Sequence, residues 1–248
     1  MDDRLMKAML DVDERHWWYR GRRRIIRAEL DRLPLPADAQ LLDAGCGSGR
    51  TLEELADYGA VRGIELNEQA AAVARQRNRG EVRIGRLEDL PWDPASFDLI
   101  TCLDVIEHTP DDRLTLRELR RVCRPGGWLI LTVPAYPALW SQHDVANHHY
   151  RRYTRRTLRA AAIGAGWLVL RMTSFNSLLL APAAMVRIAQ RGRQANDDYT
   201  PELRLGPEWV NDLLETPLRA EASWLRGGRS LPAGLSLLAV LENPRPGP

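Results

Sequence analysis

The sequence predicts a doubly wound α/β fold on a mostly parallel sheet, and three observations carry that prediction. Short apolar segments alternate with amphipathic helical ones from Leu41 to Val133, the pattern of a parallel sheet with helices on both faces. The first apolar segment runs straight into Gly45, Gly47 and Gly49 in LLDAGCGSGR. The second, VRGIEL, ends in a carboxylate at Glu65.

In chain order, residues 5–33 read as one or two helices, with Trp17, Trp18 and Tyr19 interrupting a charged pattern. PLPADA, Pro34 to Ala39, ends that segment and leads into a strand at 41–44. A helix at 50–58, a strand at 61–65, a helix at 67–78 and a strand at 82–84 follow. Next come a strand at 97–102, a helix at 111–122, a Pro-Gly-Gly turn and a strand at 127–133. Pro134 to Tyr153 is too long and too polar for a simple connection, and long segments at this edge of an α/β sheet commonly serve function. A helix at 154–165, a strand at 167–173 and a strand at 235–241 complete the series.

Glycines of this kind let a backbone turn tightly under a ligand and present its N–H groups at a helix start. A phosphate loop would continue with Lys and then Ser or Thr, whereas Gly49 is followed by Arg50 and Thr51. The dinucleotide fingerprint spaces its third glycine further from its second, and here the glycines alternate. Asp43 before the loop repels a pyrophosphate and suits a ligand that carries an ammonium group. The expected cofactor is therefore S-adenosylmethionine. A carboxylate at the tip of the second strand can accept both ribose hydroxyls of a nucleoside, although a strand end also carries solvated acids without any ligand.

Composition bounds the partners. The chain has 248 residues and a formal net charge of +2, which gives no general case for nucleic acid. Basic residues cluster in RGRRR at Arg20 to Arg24 and in RRYTRR at Arg151 to Arg156. Such clusters face an anion or lie on solvated helix faces. Cys46, Cys102 and Cys123 lack paired metal-ligand spacing and read as reduced, mostly buried thiols of a cytoplasmic protein. The charged start is not a signal peptide, and no apolar run reaches membrane-spanning length.

The ordered set LLDAGCGSGR, VRGIEL, GRLEDLPW, FDLITCLDVIEH and RRVCRPGGWLILTVPAYP, over about residues 38–173, resembles the class I S-adenosylmethionine-dependent methyltransferases. Within them it is most similar to the small-molecule group that contains the ubiquinone-type enzymes. HWWYR, AYPALWSQHD and LPAGLSLLAVLEN also resemble an uncharacterised subgroup that begins with an HWW-type helix. The resemblance implies a Rossmann-like, seven-stranded sheet with the last strand antiparallel. It implies one domain over 1–248: an N-terminal helical lid at 1–36, a cofactor-binding core at 38–173, a helical cap or interface insertion at 174–231, and the final strand at 232–243.

The same resemblance implies a cofactor set. Asp43, Gly45, Cys46, Gly47 and Gly49 would hold the methionine end, and Glu65 with Leu66 the ribose. Leu87 and Glu88 would flank the adenine, Leu103 and Asp104 would lie near the sulfonium and ammonium, and Tyr19 and Arg23 would close over them from the lid. Many relatives place Asp directly after the glycine of GRLEDLPW, and this chain has Arg86 there.

Candidates for the acceptor side come from the residues. His108 follows Glu107 at a strand exit, where an imidazole serves as a base near neutral pH or packs against the next helix. His108, His143 and Tyr153 are the candidate catalytic groups, and Trp140, His143, His148, His149, Arg152 and Tyr153 join His108 as the candidate acceptor wall. His143 and Asp144 are adjacent and need not form an oriented pair. The histidine spacing matches no common zinc site, so no metal is expected.

The expected reaction is methyl transfer to an oxygen or nitrogen of a small or lipid-linked acceptor. Another S-adenosylmethionine-consuming reaction on this fold, such as cofactor cyclisation, and a non-catalytic partner subunit are the alternatives. The amphipathic 174–231 segment permits contact with a membrane surface, and packing over the cleft or in a homodimer explains the same pattern better.

Overall fold

Leu41 to Ala44 are all fully shielded from solvent or nearly so, which marks a strand covered on both faces, as a parallel sheet requires. In the computed structural model, which describes residues 12–189 and 207–245, this is β1 (Gln40–Ala44) at the middle of the sheet. It pairs in parallel with β2 (Ala60–Glu65) on one side and β4 (Phe97–Leu103) on the other. β3 (Gly80–Ile84) extends the sheet beyond β2, and β5 (Cys123–Pro134) runs parallel to β4. With β6 (Leu168–Phe175) and β7 (Ser236–Glu242) the order is β3-β2-β1-β4-β5-β7-β6.

The chain therefore moves outward from β1 to β3 and restarts on the opposite side of β1 at β4. Ligands in such sheets bind outside the carboxyl ends at that reversal. β7 is the antiparallel member. Asn243, just past its end, exchanges backbone bonds with Gly126 and Gly127 near the start of β5, while Leu235 before its start accepts from Ala135 past the end of β5.

Helices α1 (Trp17–Leu30), α2 (Arg50–Leu55), α3 (Glu68–Gln76), α4 (Asp112–Val122) and, further on, Arg155–Gly164 match the expected series. Their starts have local causes. The Asn67 side chain accepts from the Ala70 N–H, and Asp111 accepts from Arg113 and Leu114, so each satisfies donors that a helix leaves open at its N-terminus. One expectation changes. The Pro-Gly-Gly stretch reads as a turn, but Cys123 already pairs with Phe97 while Trp128 pairs with Leu99. It is a bulge inside β5, and Gly126 adopts φ +83° to make it.

The described chain divides into two compact units, where the sequence reads as one domain with accessory segments. One comprises Leu33–Val133, Arg155–Met172 and Leu238–Pro248. The other gathers the accessory segments Met1–Arg32, Pro134–Thr154 and Thr173–Leu237.

Inside this second unit, the segment expected to be irregular holds a 3-10 turn (Pro137–Leu139) and a short helix, α5 (Gln142–Ala146). With Arg155–Gly164 as α6, the insertion supplies α7 (Leu180–Ala189) and α8 (Glu208–Arg226). α1 packs along α8 so closely that a Cβ on Gly21 would stand 2.2 Å from Leu218 Cδ1. The indole of Trp18 stacks on Phe175 with centroids 5.8 Å apart. Residues 190–206, which include the basic end of the insertion's first half, lie outside the described residues, as does the first part of the N-terminal helical segment.

Candidate cofactor and acceptor site

The glycine loop and the tip of β2 are one hydrogen-bonded construction. The N–H groups of Gly45 and Cys46 both donate to the Ile64 carbonyl, at 2.9 and 3.0 Å. Gly47 N–H donates to Glu65 Oε2 at 2.9 Å, and Asn67 N–H donates to Oε1 at 2.9 Å. Each carboxylate oxygen thus accepts one backbone bond and keeps capacity for another, since an ionised carboxylate has about four acceptor sites.

Gly45, Gly47 and Gly49 all lie at positive φ, +81°, +53° and +80°. Their surroundings differ. A Cβ on Gly45 would meet Val105 Cγ2 at 2.5 Å, and one on Gly49 would meet Ala74 Cα at 2.8 Å, whereas one on Gly47 meets nothing within 4 Å. Two glycines are there for packing, and the middle one faces open space.

Asp43 is buried and accepts a 2.6 Å bond from Thr101 Oγ1. Burial pushes the Cys46 thiol strongly up, with Asp43 and Glu65 adding to the effect, and burial pushes Cys123 up to about 12. Neutral, inert thiols follow. Leu103 is buried at the end of β4, and Asp104 takes φ +57° with its N–H on the Thr132 carbonyl. On the opposite flank Leu87 is buried, Leu66 is exposed, and Glu88 lies 3.7 Å from Arg86. Arg121 fixes the turn that follows by donating to the carbonyls of Leu90 and Trp92 at 2.9 and 2.8 Å.

A family model described as a methyltransferase domain matches residues 42–131. A ubiquinone biosynthesis O-methyltransferase of Xanthomonas campestris pv. campestris is 32% identical over 162 residues, covering 58% of this chain and 67% of that protein. The chain belongs to the class I S-adenosylmethionine-dependent methyltransferases. It spans about half to two thirds of the length of these curated relatives.

Among solved structures, the Haloferax volcanii protein in complex with the Trm112 methyltransferase activator superposes with a TM-score of 0.63 at 22% identity. The match covers 98% of this chain and 94% of that one. The [4+2]-cyclase SpnF superposes at 0.58 and 18% identity, over 89% and 82%. Both likenesses concern the fold.

The cofactor of this family is S-adenosylmethionine, and the loop fits it. The space over Gly47 and the acceptor capacity left on Glu65 are what a ribose and an amino-acid moiety need.

The second unit holds the other candidates except His108, which lies in the first. Tyr19 is buried with the Arg22 guanidinium 5.5 Å from its ring centroid, and Arg23 donates to the Asp13 carbonyl at 3.0 Å. Arg20 and Arg24 pair with the fully buried Glu215 at 2.6 and 2.5 Å, so these members of the basic cluster serve helix packing.

His108 closes a 3-10 turn, Ile106–His108, with its N–H on the Val105 carbonyl. Trp140 is exposed, and His148 takes φ +54°. Tyr153 is buried, and its backbone bridges to Ala135. Arg152 is also buried, and its guanidinium donates to Asp144 Oδ1 at 2.7 Å and to the Ala135 carbonyl at 3.0 Å.

Sequence reasoning named Asp144 only as the neighbour of His143 and gave it no site role. Asp144 is fully buried, it accepts from Arg152 and from the Ser141 N–H, and its Oδ1 lies 2.9 Å from His149 Nδ1. The signal was present as Ser141-Gln142-His143-Asp144, a capping-box spacing that starts α5.

Proposed function

We propose that this chain transfers a methyl group from S-adenosylmethionine to a hydroxyl oxygen of a small or lipid-linked acceptor. The observation that carries the reading is the Glu65 carboxylate, braced by Gly47 and Asn67 at the tip of β2 beside the open face of Gly47. The oxygen preference is supported by the O-methyltransferase name of the relatives. S-adenosylmethionine, when bound, supplies an electrophilic methyl on a sulfonium.

The chain's own part is to bind and orient. Asp43 and the backbone of Gly45, Cys46, Gly47 and Gly49 hold the ammonium-bearing end, and Glu65 takes the ribose hydroxyls. Leu87 and Glu88 flank the adenine, and Leu103 with Asp104 borders the reacting centre. His108, on the turn after β4, contacts the acceptor. In-line placement and exclusion of water carry most of the rate in such a transfer.

The test is mass spectrometry of the purified chain incubated with S-adenosylmethionine and a panel of phenols, catechols, amines and extracted polar lipids. A hydroxyl-bearing acceptor that gains one methyl group, with S-adenosylhomocysteine formed in equal amount, is the expected result. Cofactor consumption without a methylated product overturns the reading in favour of another reaction on the same fold.

A further inference from the structure

The glycine loop is held from two directions inside one compact unit. Toward β2, the N–H groups of Gly45, Cys46 and Gly47 are taken up by the Ile64 carbonyl and by Glu65. The second hold comes from the far end of α3. A Cβ on Gly49 would stand 2.8 Å from both Cα and Cβ of Ala74, so the loop lies directly on that helix. Three residues on, Arg77 Nε donates to the Ser48 carbonyl at 2.8 Å. Ser48 is buried, and a backbone carbonyl in such a place needs a donor.

A second contact aims the Arg77 guanidinium. Its Nη1 lies 3.4 Å from Glu53 Oε2 on α2, and Arg50 also pairs with that oxygen. Arg77 therefore touches the loop through Ser48 and the helix that follows the loop through Glu53. Its side chain is mostly shielded from water, where a charge-assisted bond is stronger than on an open surface. Arg75, two positions earlier, does different work: its Nε donates to the Val82 carbonyl at 3.0 Å and joins α3 to β3.

Glycine populates both signs of φ, so a loop built on three glycines does not hold one shape by itself. Fixing that shape in the free chain removes an ordering cost that binding would otherwise have to overcome. We propose that Arg77 is a positioning residue for cofactor binding: its bond to Ser48 holds the glycine loop in the shape that keeps Gly47 open, and Glu53 sets the direction of its guanidinium. This rests on the cofactor site of the methyl-transfer reading above.

Calorimetric titration of the full chain with S-adenosylhomocysteine, which needs no acceptor, tests the role. Arg77→Met keeps the apolar stem and removes the donor, and it is expected to weaken binding about tenfold at a temperature where the variant is folded. Arg77→Lys restores a cation without the fork and is expected to recover part of the loss. Arg75→Met removes a comparable bond from the same helix; it is expected to lower Tm yet leave affinity within about twofold. Wild-type affinity in Arg77→Met, or an equal fall in Arg75→Met, overturns the positioning role alone. A wild-type chain that binds neither S-adenosylhomocysteine nor S-adenosylmethionine overturns the cofactor-site reading, and the role of Arg77 with it.

A second measurement needs only the wild-type chain. Coupling is reciprocal, so a bond that favours binding is itself favoured by binding. Hydrogen exchange at Arg77 Nε, followed by proton–nitrogen correlation spectra, is expected to slow several-fold when S-adenosylhomocysteine saturates the chain. Exchange that stays the same on saturation overturns the proposal, whether or not the variants fold.

Discussion

The three loop glycines separate conformational need from space. Gly45 and Gly49 each need positive φ and also leave no room for a Cβ, against Val105 and Ala74 respectively. Gly47 needs only the backbone conformation. Gly49→Ala is therefore expected to lower Tm well beyond the roughly 1–2 kcal/mol that a left-handed L residue costs. Gly47→Ala should cost about that strain alone, yet weaken S-adenosylmethionine binding by about tenfold, because its methyl enters the space the ligand would take. Thermal unfolding paired with calorimetric titration separates the two. Equal losses in both measurements for both variants would remove Gly47 from the cofactor site. Glu65→Ala is expected to weaken binding more than tenfold, since it removes the proposed ribose acceptors and the brace on Gly47; an unchanged affinity takes Glu65 out of that role.

At the scale of elements, the strands were legible because the residues that form them are buried on both faces and read as apolar runs. The glycine loop marked where α2 begins. What escaped the sequence depended on distant partners. Arg20 and Arg24 read as an anion-binding or solvated cluster, and their partner Glu215 lies about 190 positions along the chain. Likewise α5 is only five residues long, too short for periodicity to reveal, and its cap turns Asp144 into the hub of a buried ion cluster.

The α1 and α8 contact gives a prediction of its own. Alanine normally stabilises a helix over glycine by up to about 1 kcal/mol, but at Gly21 the new methyl would collide with Leu218 down to its Cβ. Gly21→Ala is expected to lower Tm, and adding Leu218→Ala should return part of the loss, a coupling that a double-mutant cycle reads directly. A stabilised single variant would show that the two helices can part at little cost.

For the molecule as a whole, ligand binding links the loop to global stability. A ligand at 100 times its Kd adds about 2.7 kcal/mol by mass action, which for a chain of this size raises Tm by roughly 5–10 °C. S-adenosylmethionine and S-adenosylhomocysteine are both expected to give shifts of this order in the wild-type chain, and Glu65→Ala should show no more than about half that shift at the same concentration. No shift at saturating concentrations would sink the cofactor assignment for this chain. Among the described residues no helix is long and apolar enough to cross a membrane.

The place of β7 has a consequence for how the chain is made. It separates β5 from β6 in the sheet, yet it comes after both, with the long insertion in between. While the protein emerges from the ribosome, β3-β2-β1-β4-β5 can assemble in order of synthesis, but β6 has no neighbour to pair with until Ser236–Glu242 arrives. The nascent chain therefore carries two open strand edges through the synthesis of some sixty residues, a vulnerability to stray pairing that ends only when its last strand slots home.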